Sequence, residues 1–176
     1  LNKFALHYKT NEPLSQSLVE RIGKAANFNE GFATVETISS SFVDMKLHLT
    51  TETVDPHAFE KKVLSEINMP SEIVMRHRIP QFGHIFSGDG YSAGYYSYIW
   101  SGVLDTDAFD AFKSTSLFNQ EKALSFRKNI LEKGGTEDPM ELYKRFRGAE
   151  PSIEPLLKKR GLKTNSKVEK MPRIPF

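Results

Sequence analysis

Apolar residues recur at intervals of three and four along most of this 176-residue chain, and one segment breaks the pattern. That spacing marks amphipathic helices. It predicts a helix over Ser15–Ala26 carrying Leu18, Val19 and Ile22. The clearest one covers Phe32–Leu49, with Val35, Ile38, Phe42, Met45 and Leu49 on one stripe. Asp55-Pro56 opens another, because Asp caps a helix and Pro suits its first position; it carries Phe59, Val63, Leu64 and Ile67. Helix is expected again from Tyr91 to about Lys113 and from Asn119 to Lys133, where Gly134-Gly135 stops it. Asp138-Pro139 starts a helix that ends at Arg147 before Gly148, and Pro151–Arg160 forms a last one before Gly161. The break is Met69–Asp89, which holds Pro70 and Pro80 and no sustained period. It reads as irregular, with one short strand near Ile73–Met75. The expected fold class is all-α, with one helical domain over 1–163 and a polar tail over 164–176.

The irregular segment leads into the chemically richest stretch. Four of the 11 glycines and four of the 6 tyrosines lie between Gly83 and Tyr98. Glycine lets a backbone approach a ligand closely, and tyrosine hydroxyls remain donors at neutral pH. At about 100° per residue, a helix from Tyr91 places Tyr91, Tyr95 and Tyr98 on one side with Gly94 and Gly102. Tyr96, Trp100, Val103 and Leu104 point the other way. One face reads as packing and the other as a groove lined with hydroxyls. His84, just before the glycines, is the histidine singled out. Holding the loop through the backbone is its alternative role.

Composition removes several function classes. The chain is 39% hydrophobic and 26% charged, with a formal net charge of +2. Its 14 Lys/Arg against 7 Asp/Glu from Lys122 onward are mixed along helical faces, so a nucleic-acid partner is not expected. No apolar run has the length of a membrane span. Cysteine is absent, which excludes a thiol nucleophile and points to the reducing cytoplasm; a disulfide-free periplasmic protein would share this feature. The five histidines form no H-E-x-x-H pair, so no metal ligand is assigned. There is no G-x-S-x-G elbow and no P-loop. Asp105, Asp107 and Asp110 read as a helix face, not a calcium loop.

Phe82-x-His84-Ile85-Phe86, the Gly-Tyr loop, and Ala93-Gly94-Tyr95-Tyr96-x-Tyr98-x-Trp100 resemble the thimet oligopeptidase and peptidyl-dipeptidase (dipeptidyl carboxypeptidase) family of zinc peptidases. Phe28–Phe32, Asp44-Met45, Phe126–Leu131, Gly134-Gly135 and Arg160–Leu162 follow the C-terminal region of that family in order. The resemblance covers Leu1 to about Leu162. It implies that the zinc ligands and the general-base glutamate lie upstream of Leu1, so this chain would be a C-terminal portion that binds no catalytic zinc itself. It also implies oxyanion stabilisation by His84 and Tyr98, peptide binding by Tyr91 and Tyr95, and a closing loop containing Gly88 and Gly90. The implied partners are short peptides and the N-terminal part of the same enzyme. The chain departs from the common His-Ile-Phe-x-Gly-Gly-Tyr pattern by one extra residue before Tyr91. The spacing from Tyr91 to Tyr98 is unchanged. A second reading from the same residues is a non-catalytic helical module that holds a peptide or glycan in the tyrosine groove.

Overall fold

The computed structural model describes residues 2–162; the polar tail expected over 164–176 lies outside them. Seven α-helices follow one another: α1 (Gln16–Ala25), α2 (Glu30–Leu49), α3 (Pro56–Glu66), α4 (Ser97–Lys113), α5 (Gln120–Phe126), α6 (Pro139–Arg147) and α7 (Glu154–Lys159). The all-α expectation holds. No strand forms among the described residues. Ile73–Met75 is irregular, which corrects the expected short strand, and the nearest thing to pairing is one antiparallel bridge between Leu6 and Pro13. Among the described residues, 73–75 meet no partner segment to complete a ladder, and their Met75 side chain is drawn into the core instead.

Local chemistry sets the ends of the helices. The Asp55 carboxylate accepts the Ala58 amide at 2.8 Å, and Asp138 accepts those of Met140 and Glu141 at 2.8 and 3.0 Å. Such caps satisfy amides that a first turn leaves without intrahelical partners. Gly148 ends α6 in the left-handed region at φ +84°, where a side chain would be strained. The helix expected over Asn119–Lys133 divides. α5 passes at Arg127 into a π-helical turn, Arg127–Leu131.

The main core joins Val43 of α2, Val63 and Leu64 of α3, and four residues of the irregular segment: Met75, Ile79, Phe82 and Ile85. Those four are spaced by four, three and three. Two short 3₁₀ turns, Ile79–Gln81 and Gly83–Ile85, give this spacing a common inward side. Elsewhere α4 packs on α7, and α6 packs on the π turn and on α5. Phe126 meets Phe146 edge to face at 5.1 Å.

The apolar stripe of α2 is not its most deeply buried face. Thr34, Ser39, Ser40, Ser41, Val43 and Asp44 are buried. Val35 and Phe42 are each 42% exposed and Leu49 is 73% exposed. Burial of the serines is possible because each hydroxyl finds its partner on its own helix. Ser39 and Ser40 donate to the Glu36 carbonyl at 2.8 and 3.2 Å, and Ser41 to that of Thr37 at 3.2 Å.

Candidate functional site

Phe82 and Ile85 are fixed in the core, so the 3₁₀ turn between them projects His84 outward. The chain then loops through Gly88 and Gly90. A side-chain β-carbon at either glycine would meet no heavy atom within 4 Å, so the loop stands clear of the body. The Ser92 hydroxyl closes its base by donating to the carbonyls of Ile85 and Gly88, at 3.3 and 3.4 Å.

Residues 91–96 form consecutive turns, and α4 begins only at Ser97. This corrects the expected start at Tyr91. A carboxylate on α2 takes up two amides of these turns. Asp44 accepts the Ala93 amide at 3.1 Å and the Tyr95 amide at 2.9 Å. Ala93 adopts φ +54°, a left-handed conformation that alanine rarely takes and that would interrupt a helix here. The Asp44 side chain is completely enclosed, and its Oδ1 also lies 2.8 Å from His48 Nδ1. The same nitrogen lies 3.0 Å from the Asp44 backbone carbonyl, and the Ala93 amide approaches it at 3.3 Å. Two backbone amides therefore satisfy the buried carboxylate, with the imidazole beside it.

The turns bring the singled-out side chains together despite the extra loop residue. The ring centroids of His84 and Tyr91 are 4.2 Å apart. Tyr91 stacks on Tyr98 at 6.5 Å, with 10° between their planes. Tyr95 sits edge-on to Tyr98 and to Phe82, both at 5.0 Å, and so connects the cluster to the core. The Tyr98 hydroxyl lies 3.0 Å from His84 Nε2. Tyr91 and Tyr98 are about half exposed, at 42% and 48%. Crowding by the surrounding side chains raises the Tyr98 pKa, reinforced by the adjacent hydroxyl and charge of Tyr91 and by the charge of Tyr95. The phenol thus stays a donor throughout the neutral range.

The arrangement can present one imidazole and several phenol groups to an acceptor at the surface. Within 2–162, no three His, Cys, Asp or Glu side chains converge where a metal could sit. His84 is surrounded by phenols, and the Asp44 oxygens are taken up by amides and His48. The residues present do not fit a zinc centre. A separate pocket of about 320 Å³ beside α3 is lined by His57, Leu64, Met69, Ile73, Val74 and Arg78. It contains none of the residues singled out in the sequence.

Asp44 and His48 are the site residues that sequence reasoning missed. Their signal is an acid and a histidine one helical turn apart, on the side of α2 away from Val35 and Phe42.

The profile of Peptidase family M3 matches residues 1–162. The chain belongs to that family. Oligopeptidase A of Escherichia coli (strain K12) is 38% identical over 163 residues, covering 89% of this chain and 23% of that protein. Dipeptidyl carboxypeptidase of the same organism is 34% identical over 165 residues, covering 91% of this chain and 24% of that protein. Saccharolysin of Saccharomyces cerevisiae is 31% identical over 159 residues, covering 89% and 22%. The chain spans about a quarter of the length of the curated relatives it matches. No described helix is long and apolar enough to cross a membrane.

Proposed function

We propose that this chain forms one wall of a metallopeptidase site, and that residues outside it hold the zinc. The observation that carries the reading is the 3.0 Å approach of Tyr98 Oη to His84 Nε2 within a half-exposed aromatic cluster. Hydrolysis of a peptide bond places negative charge on the carbonyl oxygen. Zinc supplies an activated water and a Lewis acid in such sites. The part assigned here to Tyr98 and His84 is to donate hydrogen bonds where that charge develops. Donors of this kind each contribute roughly 2.7–4 kcal/mol to the transition state. Tyr91 and Tyr95 grip the peptide backbone, and the loop of Gly88 and Gly90 folds over it. The finer reading is release of dipeptides from the C-termini of short peptides.

The rest of the enzyme would cover the outward apolar stripe of α2. Val35, Phe42 and Leu49 support this, since a solvent-facing apolar stripe on a helix marks a surface that another element covers.

The test is a chimera in which this chain replaces the matching region of E. coli oligopeptidase A. It should hydrolyse a short N-acylated peptide and yield a dipeptide by mass spectrometry. His84→Ala and Tyr98→Phe should lower kcat more than they raise KM. Unchanged turnover in both variants would refute the wall, and internal fragments would replace dipeptide release by endopeptidase cleavage. Saturable peptide binding to the chimera without turnover would favour a binding module instead.

A further inference from the structure

Asp44 is a completely buried carboxylate whose ligands are unusual for a core position. Its two hydrogen-bond donors are backbone amides from a segment 49 and 51 residues further along the chain. Both belong to the turns that separate Tyr91 from Tyr98. Between those amides the backbone passes through the left-handed Ala93. His48, from the next turn of α2, places Nδ1 2.8 Å from Asp44 Oδ1 and 3.3 Å from the Ala93 amide, and its ring also lies 5.7 Å from Phe86 at the start of the glycine loop. One carboxylate thus connects a rigid helix to both ends of the aromatic wall.

We propose that Asp44, flanked by His48, is a positioning residue for the peptide site. Its carboxylate fixes the backbone at Ala93 and Tyr95 and thereby sets the aim of Tyr91, Tyr95 and Tyr98. It touches no substrate. The chain beyond Gly90 carries enough turn and helix propensity to begin a helix at Tyr91, as its spacing predicts. Capture of the two amides by the carboxylate prevents this. A helix over 91–96 would put Tyr91 and Tyr98 two turns, or roughly 10 Å, apart along its axis. The observed turns instead stack their rings at 6.5 Å, with His84 against Tyr91. Asn at position 44 would keep a single acceptor oxygen and lose the charge, so one amide at least would lose its partner.

This inference rests on the peptidase reading only for its consequence, not for the clamp itself. Nuclear magnetic resonance on the 176-residue chain tests the clamp directly. A through-hydrogen-bond scalar coupling between the Tyr95 amide nitrogen and the Asp44 carboxylate carbon is expected in the wild type, and its absence overturns the proposal. In Asp44→Asn, hydrogen exchange at Ala93 and Tyr95 should accelerate at least about tenfold, while Val63 and Leu64 keep their protection. The ring proximity of His84 and Tyr98 should weaken in parallel. Equal acceleration at Val63 and Leu64, or none at Ala93 and Tyr95, also overturns it. Turnover of the chimera separates the two readings. Loosened amides with undiminished kcat would leave the clamp standing and remove the peptide site. Unmoved amides with a lowered kcat would do the reverse.

Discussion

Two buried aspartates divide the work of this fold. Asp44 binds backbone, taking the Ala93 and Tyr95 amides beside His48, and so holds an exposed turn. Asp107 binds side chains, accepting the Tyr143 hydroxyl at 2.7 Å and Arg147 Nε at 2.9 Å. Those three groups join α4 to α6. The difference is in what each carboxylate can control. Side-chain partners on two finished helices fasten elements that exist already. Amide partners in a segment with no regular structure decide which conformation that segment adopts. Asp107 is thus expected to govern stability and Asp44 local shape.

The largest effect should come from Asp107→Ala. It leaves the Tyr143 hydroxyl and the part-buried Arg147 guanidinium without their common acceptor, at about 3–5 kcal/mol. Urea unfolding should show this, while the Ala93 and Tyr95 amides keep their exchange rates below the transition. Loss of protection at those two amides would erase the contrast. Tyr98→Phe comes next, with kcat of the chimera falling about a hundredfold and the urea midpoint nearly unchanged. A large drop in that midpoint would make Tyr98 a packing residue. Tyr143→Phe is expected to cost about 1–3 kcal/mol at neutral pH and to alter the alkaline limb. Burial, then the hydrogen bond and charge of Asp107, push the Tyr143 phenol well above its ordinary value of 10.0. The folded chain keeps a proton that the unfolded chain releases above that value. Its contribution is therefore complete below pH 10 and is lost as pH rises further. Comparing urea midpoints of wild type and variant at pH 8 and pH 11 checks the sign, because the gap between them should narrow at the higher value.

The sequence shows where the helices lie more readily than which way they face. Asp55, Asp138 and Gly148 act within one turn of themselves, so the boundaries they set can be read locally. The stripe of α2 is equally visible, yet periodicity reports only that such a stripe exists. Its hydroxyl face is the buried one, because Ser39, Ser40 and Ser41 are satisfied by their own helix. The density of Gly and Tyr after His84 identifies the candidate site. The start of α4 at Ser97 is hidden, since the carboxylate that takes the amides just before it lies on α2, far away in sequence. The core contribution of Met75, Ile79, Phe82 and Ile85 is hidden for another reason: their steps of four and three cross two 3₁₀ turns, so no single helical period runs through them.

Val35, Ile38, Phe42, Met45 and Leu49 alternate steps of three and four residues. That is the heptad rhythm of a coiled coil, which keeps a seam straight along its neighbour. A helix laid against this side of α2 would run nearly alongside it, crossing at about +20° with left-handed supercoiling. Phe42, at the middle of the seam, would be a knob entering a hole formed by four of that neighbour's side chains.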